Sequence, residues 1–132
     1  DAAKRGDFVT ALREWKPLAE NGDATAQFNL GLMYDNGQGV PQDYKTAVKW
    51  YRLAAEQGNA SGQTNLGVMY ANGKGVPQDY KTAHMWWSFA SSSGHEQATK
   101  NQGLVESEMT SADISAAQKL ARECVRKEYK GC

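Results

Sequence analysis

Neither sign of charge predominates in this sequence: Lys+Arg 15 and Asp+Glu 15 cancel. That removes any bulk attraction to nucleic acid or anionic lipid, and no nucleic-acid partner is expected. No apolar run approaches the roughly 20 residues needed to cross a bilayer, so membrane insertion is not expected either. No signal peptide is evident, and the opening DAAKRGDF is charged; such an absence says little about location. Cysteine is scarce, with Cys124 and Cys132 the only two. A zinc site takes four ligands, and neither His84 nor His95 lies near the cysteines in sequence, so no metal is expected. Catalytic signatures are missing as well: there is no H-E-x-x-H, G-x-S-x-G, P-loop or S-x-x-K. The sequence points to no enzyme and no cofactor.

What is present is a repeat. Residues 24–59 and 60–95 align without a gap, and 21 of the 36 positions are identical. The segment NGQGVPQDYKTA from Asn36 returns as NGKGVPQDYKTA from Asn72. The register extends outward: Phe8, Tyr44 and Tyr80 share one position, Ala11, Ala47 and Ala83 another, and Trp15, Tyr51 and Trp87 a third. Asn29, Asn65 and Asn101 align too, as do Gly31, Gly67 and Gly103. Long internal periods are the mark of stacked supersecondary units.

Each unit reads as two helices. Gln27, Leu30, Gly31 and Tyr34 recur three and four apart, as do Tyr44, Ala47, Val48, Tyr51, Ala54 and Ala55, one face of a helix in each case. Asp23, Asn59 and Asp43 suit N-caps. Gly37, Gly39 and Pro41 make the connector, glycine by its backbone freedom and proline by blocking helix continuation, with Val40 the apolar plug beneath it. A glycine inside a helix costs about 1 kcal/mol, so one in each of three units implies close helix packing at Gly31, Gly67 and Gly103. One unit cannot bury both faces of its helices, and stacking gives a solenoid.

The run Ala24, Gly31, Tyr34, Gly37, Gly39, Val40, Asp43, Ala47, Trp50, Ala54 and Gly58, repeated 36 residues on, resembles the Sel1-like repeat, a relative of the tetratricopeptide repeat. The resemblance implies an all-α, right-handed solenoid of antiparallel helix pairs in one domain, 1–132. Its units are a partial one at 1–23, repeats at 24–59 and 60–95, and a degenerate capping unit at 96–132. The first of these matches a second helix, so a further helix is expected to precede it. In the last, Thr110 or Ser111 caps a helix through Ile114, Ala117, Leu120, Ala121 and Val125.

Cys124 and Cys132 would lie about 12 Å apart on a continuous helix, too far for a disulfide; a bridge needs the helix to end between them, and Gly131 permits a turn. The residues alone leave a bridge and two unrelated thiols equally open. The spacing resembles the cysteine-rich branch of the family, where a pair eight apart staples a helix end to the next repeat. That resemblance implies a disulfide, and a disulfide implies a periplasmic or secreted location.

The family likeness also implies a non-catalytic scaffold that binds a protein or peptide on the concave face of its first helices. Asn29, Asn65 and Asn101 are the candidate ligand-binding row; a structural ladder between units is the other reading of them. Phe28, Thr64 and Lys100 vary at one position and are candidates for specificity, as are Thr25, Ser61 and Gln97, and Asp35, Ala71 and Ser107. The rival function is a small-ligand binder or hydrolase acting on cell-wall or β-lactam-like compounds, an activity suggested for the cysteine-rich branch. A purely structural oligomer is a third class. His95 sits where Asp23 and Asn59 cap and reads as a cap; His84 replaces Val48 and reads as packing or surface. Gly37-x-Gly39 follows a helix and precedes no Lys-Ser/Thr, so it is not read as a phosphate loop. The recurring aromatics read as core, with one of Trp50 and Tyr51, and one of Trp86 and Trp87, partly exposed.

Overall fold

A computed structural model of the protein describes residues 6–132, so the first five residues of the 1–23 unit lie outside the described residues. Among these residues seven helices follow one another: α1 Phe8–Glu20, α2 Ala24–Asn36, α3 Tyr44–Glu56, α4 Ala60–Asn72, α5 Tyr80–Ser92, α6 Glu96–Glu106 and α7 Ser111–Arg126. Among the described residues there is no strand. Each helix begins on a side-chain cap. Asp23 accepts from the Ala26 amide at 2.8 Å and Asn59 from Gly62 at 2.7 Å. Asp43 accepts from Lys45 and Thr46, and His95 from Ala98. Thr110 caps α7 through the Asp113 amide.

Helices α2 and α3 pair, α4 and α5 pair, and α3 and α5 each pack on the first helix of the next unit. The two connectors fold alike: Gln42 and Gln78 each donate through Nε2 to the carbonyl of Asp35 or Ala71. They also form the seam between units. Gly75 has φ +75°, and a Cβ there would stand 2.6 Å from the Tyr44 carbonyl oxygen of the preceding unit; Gly39 meets Phe8 in the same way. Glycine is therefore required twice over, for its backbone angle and for its lack of a side chain.

Inside each pair an aromatic ring rests on a glycine. A Cβ on Gly31 would lie 2.4 Å from the Tyr51 ring, and one on Gly67 would lie 2.4 Å from Trp87 Nε1. Between units, Gln27 donates through Nε2 to the Ala19 carbonyl at 3.1 Å and Gln63 to Ala55 at 3.2 Å. Each of these bonds spans eight residues, the spacing of the cysteine pair.

The last unit departs from the pattern. Helix α7 packs against α5 instead of pairing with α6. Its first turn meets the start of α5, where Asp113 pairs with Lys81 at 4.0 Å. Its end reaches Phe89, whose ring lies 4.9 Å from that of Tyr129, and the Gly131 amide donates to Glu56 on α3. Two expectations fail in consequence. Trp86 and Trp87 are both buried, at 0% and 4% exposure, because Trp87 faces α4 while α7 covers Trp86. Gly103 is exposed and a Cβ there would meet nothing within 4 Å, because no helix arrives to sit on it. Trp50 and Tyr51 do divide as expected, Trp50 half-buried and Tyr51 buried.

Cys124 and Cys132 are joined by a disulfide with Cα atoms 5.7 Å apart. The helix ends at Arg126, and the chain turns back through Glu128, Tyr129 and Gly131, all at positive φ.

Candidate functional site

Among the positions at which the two complete units differ, two touch each other. In the first unit, the Tyr51 hydroxyl donates to Asp35 at 2.9 Å, and the Asn65 side chain of the next unit lies close enough to the phenol to favour its ionised form. Burial, with Asp35 nearby, pushes the Tyr51 phenol well above the usual tyrosine range despite the opposing effect of Asn65. The phenol therefore stays protonated, and the three side chains close the space between α2, α3 and α4.

In the second unit Trp87 stands in place of Tyr51 and Ala71 in place of Asp35. The indole N–H donates to the Thr64 carbonyl at 2.9 Å and cannot reach across as the phenol does. Asn101, the counterpart of Asn65, accepts instead from Gln97 Nε2 at 2.8 Å. The space that the Tyr–Asp–Asn trio fills in one unit is left open in the next. It is a pocket of about 330 Å³ between α4, α5 and α6. Val68, Ala71, Trp87, Leu104 and Val105 give it apolar walls, and Asn72, Tyr80, Asn101 and Glu108 bring polar groups to it. Leu104, at 71% exposure, opens it to solvent. This is the make-up of a binding pocket: apolar surface with a few polar groups to fix orientation. Its one carboxylate, Glu108, has no His, Ser, Cys or Lys beside it in the lining, so it holds no nucleophile–base pair.

The asparagine row is not one equivalent set. Asn65 lies beside the Tyr51 phenol, Asn101 lines the pocket, and Asn29 is half-buried on α2. Of the variable trio, Phe28 packs against Tyr51 with ring centres 6.0 Å apart. Thr64 is buried, its hydroxyl donating to Ala60 and meeting His95 Nδ1 at 3.1 Å. Lys100 alone of the three is exposed. His84 is buried, with Nε2 3.2 Å from Glu106. Of the pocket lining, sequence reasoning singles out Asn101 and Ala71 as candidates; it reads Tyr80 and Trp87 only as repeat and core positions and does not single out Val68, Leu104, Val105 or Glu108. The readable signal was the paired change from Tyr51 and Asp35 to Trp87 and Ala71. Among the described residues, no helix is long and apolar enough to cross a membrane, and no group of three His, Cys, Asp or Glu side chains could hold a metal ion.

The family description "Sel1 repeat" matches residues 24–59 and 60–95. Solved structures similar to this chain include the following two. One is c5321, a protective antigen present in uropathogenic Escherichia coli strains that displays an SLR fold. It is 31% identical, covers 93% of this chain and aligns with a TM-score of 0.87. The other is a Sel1 repeat protein from Oxalobacter formigenes, 31% identical over 81% of this chain with a TM-score of 0.77. The chain spans only 27% of the first and 44% of the second. No curated protein matches the sequence.

Proposed function

The chain belongs to the Sel1 repeat family, and from that premise we propose that it is a non-catalytic scaffold holding a protein or peptide against its first helices, α2, α4 and α6. The pocket between α4, α5 and α6 is the anchor point. The observation that carries this reading is the exchange of the Tyr51–Asp35–Asn65 closure for Trp87, Ala71 and a pocket-lining Asn101. One unit spends its polar groups on closing itself, and in the next Asn101, though held by Gln97 on its own helix, lines an open pocket.

The pocket suits one apolar or aromatic side chain of an extended segment. Trp87 and Leu104 enclose that side chain, and the Asn101 amide bonds the segment's backbone. Glu108 at the edge favours a basic neighbour in the ligand. Asn29 and Lys100 stand on the flanking first helices, where a longer ligand would pass. A periplasmic or secreted setting fits the Cys124–Cys132 bridge, which persists in an oxidising compartment.

Selection of a displayed random-peptide library on the 132-residue chain tests the reading. Enriched peptides should carry an apolar or aromatic anchor and should lose at least tenfold in affinity for Ala71→Trp, which fills the pocket. Peptides that bind both proteins equally would place recognition elsewhere.

A further inference from the structure

The pocket between α4, α5 and α6 has an apolar floor and a polar mouth. Trp87 and Val105 are buried at its base, whereas Asn72 and Glu108 are exposed. Glu108 is the only charged residue in its lining, and among the described residues that carboxylate has no hydrogen-bond or ion-pair partner. The field around it has the same sign. Helices α4 and α6 end beside the pocket, at Asn72 and Glu106, and neither carries a basic residue in its last turn. A helix C-terminus is a negative end and favours a cation. The lysines that flank the lining in sequence are committed elsewhere: Lys74 lies over the Tyr44 ring at 5.2 Å, and Lys81 pairs with Asp113 at 4.0 Å. Two neutral groups are unspent as well. The Tyr80 hydroxyl has no partner among the described residues, whereas that of its counterpart Tyr44 accepts from the Gln42 amide. Asn101 accepts from Gln97 through its oxygen, so its own amide N–H groups are left to donate.

Resting on the reading that an apolar or aromatic side chain fills this pocket, we infer that the ligand is the free amino terminus of a peptide, and that its first residue supplies that side chain. A cation at the tip of a lysine or arginine side chain would be carried down onto the Trp87 and Val105 floor, where desolvating an ion is costly. The charge therefore belongs at the mouth, on the main chain, with an apolar side chain below it. An α-ammonium meets both demands from a single Cα. It donates to the Glu108 carboxylate and to the Tyr80 oxygen, and the Asn101 amide donates to the carbonyl of the same residue. The rest of the peptide leads away over the first helices. An acetylated or internal residue brings the same side chain with one neutral N–H in place of the ammonium. A hydrogen bond between ionised partners is roughly twice as strong as a neutral one, so the free terminus is preferred.

Titration of the chain with the pentapeptide amides X-Ala-Ser-Gly-Ser, X being Leu, Phe, Tyr or Trp, each with a free and with an acetylated amino end, tests this; amide chemical shifts report the affinity. At least one free peptide should bind, and acetylation should weaken it by about tenfold or more, the scale of one charge-assisted hydrogen bond. Glu108→Gln, an isosteric change at an exposed position, should weaken the free peptide by a similar factor and leave the acetylated one unchanged. Equal affinity of the two forms, full recovery of the acetylated form by a lysine at its second position, no effect of Glu108→Gln, or no binding by any free peptide overturns the inference. Ala71→Trp separates that failure from failure of the underlying reading. If both forms bind equally and both are lost on Ala71→Trp, the pocket stands as the anchor and only the free-terminus assignment falls. Binding that survives Ala71→Trp overturns both.

Discussion

At the scale of single residues, the ring-on-glycine seats decide the sign of a substitution that looks the same in three places. Replacing a helical glycine by alanine gains about 1 kcal/mol of helix propensity. At Gly67 the new Cβ would stand 2.4 Å from Trp87 Nε1, and overpacking of that kind costs roughly 1–3 kcal/mol. Gly67→Ala should therefore destabilise, while Gly103→Ala, in open space, should stabilise by up to about 1 kcal/mol; urea denaturation of the two variants checks both. Tyr51 supplies a pH signature. Its phenol is held above the ordinary value of about 10, so the unfolded chain gives up that proton at lower pH than the folded one. The stability is fully present below pH of about 10 and falls as pH rises beyond it. Tyr51→Phe should flatten that alkaline decline, as read by melting temperature against pH. Close packing at Gly31 and Gly67 was legible in the sequence from their recurrence; that an aromatic ring is what rests on each was not. Gly103 was not, since an identical glycine matters only if a helix arrives above it.

At the scale of elements, α7 is the exception that sets the rest. Its existence was legible from the Thr110 cap and the spacing of Ile114, Ala117 and Ala121. Its docking was not, because that depends on which apolar surface is left uncovered. Trp86, Met85 and Phe89 make that surface on α5, and α7 with Tyr129 covers them. The disulfide fixes the turn that returns Cys132 to this cluster. Eight-residue links recur along the chain. Gln27 to Ala19, Gln63 to Ala55 and Ser91 to Thr99 are hydrogen bonds; the final one is covalent. Loop-closure entropy for so short a loop gives about 2–3 kcal/mol. The double variant Cys124→Ser, Cys132→Ser should lose about that much stability and show red-shifted tryptophan emission as the cover over Trp86 loosens. Unchanged emission and stability would mean that α7 docks without the bridge.

At the scale of the whole molecule, the stack has one closed unit, one open unit and two unlike ends. The closed and open units share nearly the same backbone plan and part at the Tyr51/Trp87 and Asp35/Ala71 exchanges, so the difference was present in the sequence but silent. Reading Asp35 and Ala71 as candidates for specificity did not show that each faces a ring in the neighbouring helix. Under the proposed function, recognition needs only one unit that is left open.

The most direct measurement rebuilds the closed unit inside the open one. Trp87→Tyr with Ala71→Asp recreates the hydroxyl–carboxylate pair, and Asn101 stands where Asn65 closes the first unit. Titration calorimetry with a peptide selected on the natural chain should then find binding lost, while the urea midpoint stays within the range expected for a change of about 1 kcal/mol. Undiminished binding to that folded double variant would contradict the account.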